Sequence, residues 1–75
     1  MTDFIFRLPS GIEGAATVGV PQPTVAAAAA FAHMRVDLKH GPIEIAVQRV
    51  GPGYPEVVVE VSLDNDKRLI FSEKK

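Results

Sequence analysis

His33, Asp37 and His40 stand at i, i+4 and i+7. On a helix advancing 100° per residue the three fall within about 60° on one side. Imidazole and carboxylate ligands suit zinc, and an i, i+4 pair on one helix face presents two of them together. A metal- or ligand-binding regulatory domain built on this stripe is therefore one functional alternative. Two observations count against it. His40 falls where a helix ends, so the macrodipole alone favours a cation there, and no second cluster supplies the remaining ligand of a four-coordinate site. The stripe is read as a polar, water-facing one, and neither a metal nor a cofactor is expected.

Other chemistry is sparser. Glu44 and Glu60 fall on the same phase of two alternating segments and could in principle pair for acid–base work; a solvated sheet face explains them more simply. Nucleophilic catalysis needs a Ser, Cys or Lys beside a base held by a third group. Ser10, Ser62 and Ser72 lie in a turn, on a strand and in the tail, and none has a Gly-x-Ser-x-Gly setting. Gly11 and Gly14 precede a strand and not a helix, which excludes a phosphate-cradling loop. No catalytic residue is assigned, and the chain is not expected to be an enzyme.

These residues need elements to hold them. Phe4, Phe6 and Leu8 alternate with Ile5 and Arg7, the period of a half-buried strand, which ends at Pro9. Turn chemistry from Pro9 to Gly14 leads to a weaker alternation of Ala16, Val18 and Val20. Pro21-Gln22-Pro23 stops it, and Thr24 is a suitable N-cap. Val25 to His40 reads as a helix, because five consecutive alanines combine the highest helix propensity with little β preference. Gly41 suits the left-handed position after its end, and Pro42 cannot continue it. Ile43, Ile45 and Val47 then alternate on a strand. The connection Gly51-Pro52-Gly53-Tyr54-Pro55 leads to a partner strand with Val57, Val59, Val61 and Leu63 inward. Asp64-Asn65-Asp66 turns the chain into a last strand, Arg68 to Ser72, with Leu69 and Phe71 inward, and residues 72–75 are expected to fray. The order ββαβββ makes one α+β domain over residues 1–75, a mostly antiparallel sheet with one helix on one face.

The predicted core joins Phe4, Phe6, Val18, Ile43, Ile45, Val57, Val59, Val61, Leu69 and Phe71 to a helix stripe of Ala27, Phe31, Met34 and Leu38. A second apolar stripe, Val25, Ala29, Ala32 and Val36, falls almost opposite the first. Small residues at that spacing let another backbone approach, and burying each valine would contribute roughly 2 kcal/mol. This stripe is the candidate partner or homodimer interface, beside the alternative that exposed alanine only favours the helix. Tyr54, the one tyrosine, joins it as a rigid aromatic on a Gly/Pro loop. The outer sheet face carries Ile5, Ala46, Val50, Val58 and Ile70 among charges, which matters only where they cluster.

Seventy-five residues and no cysteine give a domain that buries roughly 60% of its unfolded surface without a disulfide to staple it. Oligomerisation is the staple that remains, and a homodimer is expected. Hydrophobic residues at 47% and charged ones at 23% describe a globular chain and not a disordered one. A net charge of −1 sets up no field toward phosphate backbones, so nucleic acid is disfavoured; a weak binder using Arg7, Arg49, Lys67 and Arg68 on the sheet is a second alternative. The acid at Asp3 is unlike a secretory leader, and the run Val25 to Ala32 is far short of the roughly 20 residues that span a bilayer, so the cytoplasm is expected and no membrane partner.

In size, acidic-to-neutral charge and lack of catalytic motifs the chain resembles very small phage or mobile-element proteins that inhibit a host machine stoichiometrically, anti-CRISPR proteins among them. That resemblance involves no residue pattern and carries over no site. With the composition, it implies a cytoplasmic, non-catalytic protein-binding module acting as an inhibitor or adaptor.

Overall fold

The computed structural model describes residues 1–34, 38 and 41–74. It contains strands β1 (Thr2–Arg7) and β2 (Glu13–Val18), helix α1 (Pro23–Met34), and strands β3 (Ile43–Arg49), β4 (Val57–Leu63) and β5 (Leu69–Lys74). The strands form one antiparallel sheet in the order β2-β1-β3-β4-β5, and the helix packs against one face. This is the expected two-layer α+β architecture. Because β1 lies between β2 and β3, the helical connection crosses over one strand.

The pleat sorts the side chains. Phe4, Phe6, Leu8, Val18, Ile45, Val47, Val59 and Val61 are buried beneath the helix, and Ala16, Ile43, Val57, Phe31, Leu38 and Phe71 pack partly against them. Phe31 meets Phe71 edge to face, with centroids 6.1 Å apart. Leu69 departs from the expected core. It is 43% exposed because it pairs with Leu63 at the hairpin end of an edge strand, and Leu63 is itself 48% exposed.

The helix lies on the sheet in a different rotation from the expected one. Its deepest residues are Ala26, Ala27 and Ala30, at 0–1% exposure. That face is turned by roughly 60° from the stripe through Ala27, Phe31, Met34 and Leu38. The physical reason is volume: a sheet face filled with Phe4, Phe6, Ile45 and Val59 leaves room for methyl groups and lets the helix backbone come close. The alanine run is thus a packing surface as well as a helix former. The helix also begins earlier than expected. Val25 and Ala26 donate to the carbonyl of Gln22 at 3.1 Å, so Gln22 and not Thr24 is the N-cap, and Pro23 takes the first helical position, where a missing N–H costs nothing.

Leu38 lies outside the helix, so the element is shorter than the expected span to His40. Gly41 has φ of 100° and donates to the Leu38 carbonyl at 3.1 Å, the left-handed turn expected of it. At the other end of the chain, β5 continues past Ser72 to Lys74, with Glu73 opposite Val59 and Lys74 opposite Val58. Ladder pairing therefore replaces the expected fraying of residues 72–74.

Gly14 has a specific task in this packing. It stands opposite Phe6 in the β1–β2 ladder, and a Cβ placed on it would lie 2.6 Å from the ring's Cζ. The ring fills the space that any other residue's side chain would take.

Candidate functional site

The connection between β3 and β4 builds a small cleft at one end of the molecule. Alternation along β3 puts Val47 and Arg49 on the helix side, and Gly51 and Gly53, with φ of 137° and 83°, fold the loop back over them. The Tyr54 ring then rests on Gly51, whose Cβ position would be 3.0 Å from the ring. The Arg49 guanidinium sits 4.5 Å from the ring centroid, a cation–π contact. Gln48 donates its side-chain amide to the Tyr54 carbonyl at 3.0 Å. Tyr54 is held on several sides while remaining 40% exposed.

Phe4, Val47 and Val57 line the cleft with Tyr54 and Arg49, and Pro21, Pro23 and Pro55 complete its wall. Its volume is about 150 Å³. Small-molecule and cofactor sites typically run about 300–1,000 Å³, whereas a cavity near 150 Å³ holds one benzene-sized group. The cleft is therefore sized for one apolar side chain, with a guanidinium beside it for a carboxylate or carbonyl.

The opposite face of the sheet is charged. Arg7 pairs with Glu56 at 3.4 Å across a shallow groove of about 250 Å³. Glu44 and Glu60 are direct register partners, a repulsive placement, and the ammonium of Lys74 answers both, at 2.6 Å and 3.5 Å. The hydrogen bond and charge of Glu44, reinforced by Glu60 and opposed by desolvation, raise the Lys74 pKa above the ordinary lysine value of 10.5. The two glutamates are thus brought together as the sequence suggested, in an ion triad on an open face. Ser62 and Ser72 are diagonal neighbours on the outer face of β4 and β5, opposite Ile70 and Glu60 respectively, and Ser10 lies apart from them in the β1–β2 turn.

The predicted interface stripe is placed as follows. Val25 and Ala29 are half-buried and pack against the core, Ala32 is exposed, and Val36 lies outside the described residues. Tyr54 is near the helix start at Pro23, whereas Ala32 is nine positions further, about 13 Å along the axis, so the stripe and the tyrosine form separate surfaces. Of the possible metal stripe, His33 is exposed and Asp37 and His40 lie outside the described residues. Among the described residues no group of three His, Cys, Asp or Glu side chains could hold a metal ion. No described helix is long and apolar enough to cross a membrane.

The candidate nucleic-acid cations are scattered. Arg7 is tied to Glu56, Arg49 is on the helix side against Tyr54, and Lys67 and Arg68 occupy the β4–β5 turn. The outer face carries Asp3, Glu13, Glu44, Glu56 and Glu60 against Arg7 and Lys74, an excess of acid that repels a phosphate backbone. Of its apolar residues, Ala46 and Val58 are paired, Ile5 lies opposite Gln48 and diagonal to Ala46 and Val50, and Ile70 stands apart at the other end of the sheet.

Sequence reasoning singled out Tyr54 but not its companions. Pro21 and Pro23 read only as a strand terminator, and Arg49 as one of several cations, because nothing local links them to the loop. In comparisons with known proteins, no family model, no curated protein and no solved structure matches the chain.

Proposed function

We propose that this chain is a non-catalytic protein-binding module that acts stoichiometrically, as an inhibitor or adaptor of another macromolecule. The observation that carries this reading is the Tyr54 cleft, a proline-walled pocket with room for one side chain and with its aromatic already fixed. An aromatic held in place before binding loses little rotamer freedom when a partner arrives, and such anchors, with arginine, dominate interface energetics. The resemblance to small phage inhibitors of host machines agrees with this reading in size and charge. The acidic outer face and the dispersed cations favour a protein partner over nucleic acid.

The test is affinity capture from cells that make the protein, run beside Tyr54→Ala and Arg49→Ala. A partner held stoichiometrically by the native chain and lost from both variants, with unchanged circular dichroism, is the expected result. A partner held equally by all three chains would exclude the cleft as the site. Capture of no stoichiometric protein would exclude the module reading.

A further inference from the structure

The cleft beside Tyr54 is apolar except for one cation. Of the residues that line it only Arg49 is charged. Asp3 and Glu56, the acids next to Phe4 and Pro55 in the chain, belong to the outer face, where Asp3 accepts from Thr17 at 2.7 Å and Glu56 pairs with Arg7 at 3.4 Å. Among the described residues no carboxylate or carbonyl oxygen accepts a hydrogen bond from Arg49. Its contact with the Tyr54 ring engages the charge but supplies no acceptor for the guanidinium's planar fork of N–H donors. A cation thus waits beside an apolar pocket, on a chain whose net charge is −1. The walls are equally selective. Pro21, Pro23 and Pro55 have no backbone N–H, so a peptide running through the cleft would press its carbonyls against a surface that cannot donate to them. A chain that ends in the cleft needs one strong donor, which Arg49 provides.

We infer that the cleft takes the C-terminal residue of a partner protein, its apolar side chain in the pocket and its free α-carboxylate on the Arg49 guanidinium. The inference rests on the protein-binding reading above and names the segment that is bound. Capture of a chain end through its carboxylate is an established mode of peptide recognition. Two physical arguments select it here. An apolar group seated in about 150 Å³ beside Arg49 strips water from the guanidinium, and a carboxylate in its bidentate fork offsets that loss far better than a neutral carbonyl. The guanidinium also stands only 4.5 Å from the centroid of Tyr54, a wall of the same pocket, so anion and apolar group must spring from nearly one point of the ligand. An α-carboxylate shares its Cα with the side chain that fills the pocket. An acidic side chain further along an extended peptide, on the same face, is roughly 7 Å away. The pocket's size suits one benzene-sized group, as in a terminal phenylalanine.

The test is a nuclear magnetic resonance titration of the isotope-labelled full chain with N-acetyl-phenylalanine, its C-terminal amide, and N-acetyl-glycine. The acid is expected to shift the Tyr54 ring and Arg49 side-chain signals and to bind at least about tenfold more tightly than either the amide or the glycine compound. In Arg49→Gln, with native circular dichroism, the acid should fall to the affinity of the amide, and the amide should be unchanged. Acid and amide of equal affinity for the native chain overturn the inference, as does a preference for the acid that survives in Arg49→Gln. So does an acid that leaves the Tyr54 and Arg49 signals unmoved at millimolar concentration. A partner captured by the native chain separates this inference from the reading beneath it. Deleting that partner's last residue should release it. A partner held as tightly without its last residue overturns the C-terminal inference and leaves the protein-binding module standing.

Discussion

Replacing Gly14 by alanine adds one methyl group to a strand at a backbone conformation that alanine adopts freely, and by composition alone it should help. Removing a glycine's unfolded-state freedom stabilises by about 0.4–1 kcal/mol where the new residue fits. Here it does not fit. The new Cβ would stand 2.6 Å from Cζ of Phe6 and 3.2 Å from both Cε atoms, and the Phe6 ring is only 2% exposed, so it has no open side into which to retreat. Ordinary contact requires the ring to move by roughly 1 Å into Leu8 or the helix, and overpacking of that kind costs about 1–3 kcal/mol. Subtracting the entropic gain leaves a net loss near 1.5 kcal/mol, or a fall in Tm of roughly 6–12 °C for a domain this small. Gly19→Ala is the internal control. Its Cβ would meet nothing within 4 Å and its backbone is not left-handed, so the same substitution there should raise Tm by a few degrees. Thermal and urea unfolding followed by circular dichroism read both. A Gly14→Ala protein as stable as the native one would refute the seating of Phe6 over Gly14.

Four further outcomes are expected. Lys67 has φ of 62°, a left-handed conformation costly for a side chain, at the position of a hairpin turn where glycine is usual, so Lys67→Gly should raise stability by about 0.5–1 kcal/mol in urea unfolding. Phe6→Ala should cost about 3–5 kcal/mol and Phe31→Ala, half-buried against Phe71, only about 2, the two midpoints measured side by side. The raised Lys74 pKa means that its ion triad contributes fully below the unfolded value of 10.5 and is lost as pH rises through the higher folded value. Unfolding midpoints across an alkaline series should therefore converge between the native chain and Lys74→Ala, after a small difference at neutral pH. Arg49→Ala should leave the melting temperature nearly unchanged while loosening Tyr54, read as a change in tyrosine fluorescence, because the cation–π contact is on the surface.

Local pattern carried most of the element order. Strict alternation in Phe4-Ile5-Phe6 and in Val57 to Leu63 admits only one face for each strand, and Gly41-Pro42 closes the helical region on a conformation few other residues tolerate. Composition likewise made this a single apolar core without cysteine. The rotation of the helix was a different matter. Six of its twelve residues are alanine, spread all round, so no stripe outweighs another, and the choice fell to the shape of the sheet face, where Phe4, Phe6 and Ile45 admit only methyl groups beneath Ala26, Ala27 and Ala30. Strand order was equally non-local. It brought Lys74 from the far end of the chain to Glu44 and Glu60, which hairpin register had set opposite each other as it set Phe6 opposite Gly14, and it left Leu69 and Ile70 on an edge where alternation alone had put Leu69 in the core. The Tyr54 cleft depends on both kinds of information. A lone aromatic among glycines and prolines was visible in the chain, but Arg49, Pro21 and Pro23 become its neighbours only when the β3–β4 loop and the start of the helix meet at one end of the sheet, a contact between segments that share no sequence signal.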